Sequence, residues 1–140
     1  MHILYTAVAT AEGGRLGRVR TSDGRLQARL SIPSELGGPG GDGTNPEQLF
    51  AAGFAACFEN ALIVAARRAQ VQVDGLTVSA HVGMGRGDAG GYSFEVELRI
   101  GLPGADRARL EALVQQADQL CPFSGAVRGN IPVRHVLEEG

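Results

Sequence analysis

Two cysteines, Cys57 and Cys121, are the residues of this 140-residue chain best suited to chemistry. A buried thiol behaves as a small, inert hydrophobe. It becomes a nucleophile only when a neighbour favours the thiolate, and an arginine is the cation that does so without losing its own proton. Cys57 lies inside NPEQLFAAGFAACFENA, residues 45–61. Cys121 follows an amphipathic stretch and precedes a proline. If the two meet in space they form a thiol pair closed over a long stretch of chain. In a reducing compartment such a pair is reactive or simply buried, and a structural disulfide is not expected.

Other patterns carry less. Gly38–Gly43 satisfies GxGxxG in form, but it contains Pro39 and follows a hairpin, so it reads as a flexible loop. The stretch ending at Thr44 lacks the lysine of a phosphate loop. His2, His81 and His135 have no metal spacing with either cysteine, and strand packing is their more common role. Arg15 and Arg18, in GGRLGR, taken alone read as a solvated strand face. Glu47 alone is explained by the dipole of the helix it opens.

The elements that must position the cysteines follow from periodicity. Asn45 suits a helix N-cap and Pro46 the first helical position, so a helix is expected over 46–69. A second helix is expected over 105–120, with Leu110, Leu113, Val114 and Ala117 on one stripe that Cys121 continues and Pro122 ends. Strands are expected at 2–9, 16–22, 25–32, 76–82, 92–100 and 131–137. Asp23-Gly24 joins the second and third, and GMGRGDAGG joins the next pair. The order β-β-β-α-β-β-α-β, built of hairpins, predicts an α+β fold with antiparallel sheets in a single domain over 1–140. The first helix is apolar nearly all round and rich in small residues (Ala51, Ala52, Gly53, Ala55, Ala56), which predicts a dimer with that helix at its centre.

Composition bounds the setting. A net charge of -2 without a basic block leaves no electrostatic footprint for nucleic acid or an anionic membrane. The N-terminus lacks a basic segment and reads as a strand. The long apolar run 49–66 carries Glu59 and Asn60 at its centre, which argues for a core helix over a membrane span. A cytoplasmic location is the expectation.

NPEQLFAAGFAACF followed by CPFSGAVRGNI resembles the organic hydroperoxide resistance (Ohr) family of the OsmC superfamily. The resemblance spans essentially the whole chain and includes GGRLGR, SELGGPGGDGTNPEQLF, GGYSFEVEL and ALVQQADQLCP. It implies a cysteine-based peroxidase that reduces organic hydroperoxides to alcohols. It further implies that Cys57 is peroxidatic, Cys121 resolving, Arg15 the activator of the thiolate and Glu47 the holder of Arg15. It implies an intertwined OsmC-like homodimer, with antiparallel sheets around central buried helices. No bound cofactor or metal is implied; the reductant would be a dihydrolipoyl group on a lipoylated protein. Phe123, Gly125 and Val127 depart from the family pattern, as does Asn60, which lies three residues from Cys57 and is expected to face the thiol. The alternatives are another OsmC-type peroxidase with different substrates and a non-catalytic dimeric binding protein with inert thiols.

One geometric expectation follows from spacing. Glu47 and Cys57 are ten positions apart on one helix. That is about 15 Å along the axis, with the side chains on different faces. A kink at Gly53, the long reach of Arg15, or a site with Arg15 and Glu47 from the partner subunit would each resolve it; the shared site is the expectation.

Overall fold

A computed structural model of the chain describes residues 1–138; the last two positions of the domain expected over 1–140 lie outside the described residues. The backbone divides into two compact units, Met1–Leu49 and Phe50–Gly140.

In the first unit, β1 (Ala9–Glu12), β2 (Arg18–Thr21) and β3 (Gln27–Arg29) form an antiparallel sheet in that order. The β2–β3 turn forms at Asp23-Gly24 as its sequence predicts: the Asp23 carboxylate accepts from the Thr21 hydroxyl at 2.8 Å and the Arg25 N–H at 3.0 Å. The expected strand at 2–9 does not form as written. Pairing begins at Ala9 and runs on to Glu12. A strand needs a neighbour to satisfy its backbone, and within this chain residues 1–7 are given none among the described pairings. Their apolar side chains Ile3, Leu4 and Tyr5 lie exposed, as does Val8. No apolar side chain of Met1–Leu49 is buried.

The second unit has a core. The helix α1 (Pro46–Arg68) begins at the end of the first unit and supplies one wall. Then come β4 (Thr77–Arg86), β5 (Tyr92–Gly101), α2 (Arg107–Leu120), α3 (Pro122–Val127) and β6 (Val133–Leu137). The β4–β5 hairpin is antiparallel, with β5 central in the order β4-β5-β6. In contrast to the antiparallel pairing expected throughout, β6 joins β5 in parallel. The two helices that intervene make a crossover long enough to return the chain in the same direction.

Alternation along β5 places Val96, Leu98 and Ile100 on the inner face. They pack with Phe54, Phe58, Leu62 and Ala65 of α1 and with Leu110, Leu113, Val114 and Ala117 of α2. The apolar helix α1 is long enough to cross a membrane by length and composition, but its larger side chains serve this core. Its opposite row, Ala52, Ala56 and Asn60, is exposed. The expected burial on all sides is therefore not met within one chain.

Leu98 is 0 % exposed at the centre of this core. Leu98→Ala should lower the unfolding free energy by about 2–5 kcal/mol, through lost transfer energy and a residual cavity. Leu26→Ala, at an exposed position of the first unit, should change it by less than about 0.5 kcal/mol. Chemical denaturation of both variants checks the contrast.

Candidate active site

The four residues singled out from the sequence fall into two pairs, one in each compact unit. In the first unit, the Arg15 guanidinium donates to Glu47 Oε1 at 2.6 Å. Glycines shape the turn that presents Arg15. Gly13 adopts φ +83° ahead of a 3-10 turn, Gly14–Leu16, and Gly17 closes it against the chain. A Cβ on Gly17 would lie 1.8 Å from the Glu12 carbonyl oxygen, so no other residue fits. Leu16, expected as the start of a strand, lies in this turn instead. Glu47 is placed by helix capping: Asn45 Oδ1 accepts from the Gln48 N–H at 2.8 Å, with Pro46 leading the first turn. The Glu47 side chain is only 14 % exposed, that of Arg15 39 %. Glu47 Oε2 is buried with no hydrogen-bond partner among the described residues. The carboxylate thus holds the arginine from one side, and the remaining guanidinium donors have no partner among the described residues.

In the second unit the two cysteines meet. Both are free thiols, and Cys121 Sγ lies 3.3 Å from Cys57 Sγ, donating to it. Closing that gap to a bond of about 2.05 Å needs only a small motion. Cys57 is partly exposed and Cys121 2 % exposed.

Cys121 is held by the break between two helices. Its N–H ends α2 on the Ala117 carbonyl at 2.8 Å, and its sulfur accepts from the Ser124 N–H at 3.5 Å to open α3. Pro122 pushes the residue before it out of the helical region, and Cys121 sits at φ −75°, ψ 116°. The same proline occupies the first position of α3, where its missing N–H costs nothing. Periodicity marks Pro122 only as a stop and does not predict α3; a proline after a sulfur that can cap is the signal for it.

Burial pushes the Cys57 thiol up from its usual range; the backbone N–H of Phe123 pulls it down, and the neighbouring Cys121 adds to the rise. No cation is among these influences. Asn60, expected to face the thiol, is solvent-exposed and makes no hydrogen bond to Cys57 among the described residues. Gly125 has open space where a side chain would project, so nothing in the structure demands a glycine there.

An aromatic wall flanks the thiol pair. The Phe123 ring lies 5.7 Å from that of Phe54 and 6.4 Å from that of Phe50, which packs 5.4 Å from Phe94. Phe58 stacks on His135, with ring centroids 5.3 Å apart. His135 is kept below its ordinary pKa by burial, with Asp118 opposing. Among the described residues no group of three or more His, Cys, Asp or Glu side chains is placed to hold a metal.

Comparison with known proteins supplies the context. The OsmC-like protein family matches residues 38–136. The organic hydroperoxide resistance protein of Xanthomonas axonopodis pv. citri is 54% identical, covering 96% of this chain and 95% of its own length. The organic hydroperoxide resistance protein OhrB of Bacillus subtilis is 39% identical over 96% of this chain and 98% of its own. A crystal structure of an organic hydroperoxide resistance protein from Elizabethkingia anophelis superposes with a TM-score of 0.94 at 42% identity, covering 100% of both chains. With its α+β fold and these full-length relatives, the chain belongs to the OsmC-like family and, within it, to the organic hydroperoxide resistance proteins.

Proposed function

We propose that this protein is a thiol peroxidase that reduces organic hydroperoxides to alcohols. The observation that carries the reading is the reduced thiol pair at 3.3 Å, a nucleophile with a second thiol already beside it. In the first step the Cys57 thiolate attacks one peroxide oxygen, the O–O bond breaks, and the alkoxide leaves and takes a proton as alcohol. Cys57 is oxidised to a sulfenic acid. Cys121 then attacks that sulfur, water departs, and a disulfide forms. An external dithiol reduces the disulfide by exchange, forming its own cyclic disulfide. A dihydrolipoyl group, which the family resemblance implies, fits that role, and a lipoylated protein would carry it. We place this cycle in the cytoplasm, where thiols are kept reduced.

Arg15 has two tasks in this scheme. It favours the thiolate, and it stabilises charge developing on the peroxide oxygens. The burial that raises the Cys57 thiol makes such a cation necessary. Glu47 orients Arg15 through their 2.6 Å contact. We further propose a homodimer in which Arg15 and Glu47 of one chain serve the cysteines of the other. The uncovered row of α1 and the absence of buried apolar side chains in Met1–Leu49 support a second copy as the missing cover. The Phe50, Phe54, Phe94 and Phe123 wall favours alkyl and fatty-acid hydroperoxides over hydrogen peroxide.

Cys57→Ser should abolish reduction of cumene hydroperoxide. Cys121→Ser should keep a single turnover, seen as trapped sulfenic acid, and lose turnover with dihydrolipoamide. Retained turnover in Cys57→Ser would overturn the assignment. For the wild type, kcat/KM should be higher for cumene than for hydrogen peroxide, and dihydrolipoamide should outperform glutathione.

Removing a cation that favours a thiolate raises the thiol's pKa. Arg15→Ala should therefore move the pH profile of Cys57 alkylation to higher pH and slow the reaction at pH 7 by about tenfold or more; an unchanged profile would remove Arg15 from the mechanism. Mixing Cys57→Ser with Arg15→Ala under conditions of subunit exchange should restore activity if sites are shared between chains. Exchange without recovery would mean each site is built within one chain.

A further inference from the structure

We propose that Gly53 is a positioning residue for the thiol pair: its missing side chain lets the Phe123 ring lie against α1 one turn before Cys57, and that contact sets the reach between Cys121 and Cys57. The inference rests on the peroxidase reading for its functional meaning, and on the second unit alone for its geometry.

A Cβ built on Gly53 would meet Phe123 Cε2 and Cζ, each at 3.1 Å. That is tighter than side chains ordinarily pack, so an added methyl must displace the ring by a few tenths of an ångström. Phe54, fully buried, and Phe50 flank the half-buried ring along α1 at 5.7 and 6.4 Å, which leaves outward movement from α1 as its way to yield. The displacement is therefore passed to the backbone of α3. That backbone addresses both sulfurs. The Ser124 N–H bonds the Cys121 sulfur at 3.5 Å, and the Phe123 N–H acts on the Cys57 thiol, drawing its pKa down. Cys121 itself immediately precedes α3, 3.3 Å from Cys57.

Helix propensity argues in the opposite direction, which makes the glycine informative. A glycine in the interior of α1 is less favourable than an alanine. It is not there for a left-handed backbone either, since its φ lies outside the positive range. The close approach of Phe123 is an account that the structure does give of the residue. Gly53 and Cys57 are four residues apart and so share a face of α1, which places the ring contact directly beneath the thiol.

The test uses diamide, a two-electron oxidant that takes two hydrogens from the thiol pair and leaves the Cys57–Cys121 disulfide and a hydrazine. It reads the approach of the sulfurs without calling on peroxide chemistry. Gly53→Ala in the full chain should keep or raise the melting temperature and slow disulfide closure by about tenfold, the scale expected for a sub-ångström misplacement. Adding Phe123→Leu, which frees space for the methyl, should recover most of the rate. If Gly53→Ala does not fold, Phe123→Ala removes the same contact from the other side and should slow closure likewise. Closure at the wild-type rate in Gly53→Ala, or in Phe123→Ala where that variant stands in, would overturn the proposal. So would slowing that merely follows a fall in melting temperature and is not relieved by Phe123→Leu. A wild type that closes its disulfide with diamide but reduces no cumene hydroperoxide would sink the peroxidase reading and leave the positioning role standing.

Discussion

The second unit depends on covering one side of α1. Phe54, Phe58 and Leu62 are essentially without solvent exposure, and they lie with Val96, Leu98 and Ile100 of the central strand in one cluster. Burial of side chains this size is worth about 1.5–3 kcal/mol each. It fixes the rotation of α1 about its axis. Once that rotation is set, the side chain at 57 is committed to a partly exposed position between buried neighbours at 54, 58 and 61. The second helix is fitted to the same core through Leu110, Leu113, Val114 and Ala117, and its end delivers Cys121.

That arrangement sets a conflict at the thiol. The packing that brings Cys57 and Cys121 to 3.3 Å also withdraws Cys57 from water, and withdrawal disfavours the thiolate. The Phe123 N–H opposes burial, and the second thiol adds to it. A nucleophile built this way needs an added cation to work near neutral pH. Arg15, proposed for that role, is itself held at 2.6 Å by a carboxylate whose second oxygen is buried and unpartnered among the described residues. Glu47 restrains the arginine without saturating its five donors.

The first unit poses the opposite problem. Its three strands pair correctly, yet no apolar side chain between Met1 and Leu49 is buried, and Ile3, Leu4, Tyr5 and Val8 are exposed. A small sheet with one apolar face gains stability only when that face is covered. The exposed row Ala52, Ala56 and Asn60 of α1 leaves a comparable gap. Both features are the ground on which a second copy is proposed as the missing cover.

Much of this was legible in the sequence because it is local. Asn45-Pro46 marks the start of α1, Asp23-Gly24 marks a turn, and alternation marks β4 and β5. The two long motifs pointed to the family and, through it, to Cys57, Cys121, Arg15 and Glu47. What local pattern does not hold is who meets whom. Residues 2–9 have the alternation of a strand, but pairing depends on a neighbour, and among the described pairings only Ala9 of this stretch has one. The parallel return of β6 follows from a helical crossover, not from its own five residues. Pro122 signals both an end and a beginning, and the Ser124 N–H capped by the Cys121 sulfur marks the beginning. The sequence by itself determined the elements and the residue types at the site, since capping, turns and periodicity act over a few positions. Only the tertiary structure decided the thiol contact and the groups that shift Cys57, because those depend on distances between segments far apart in the chain.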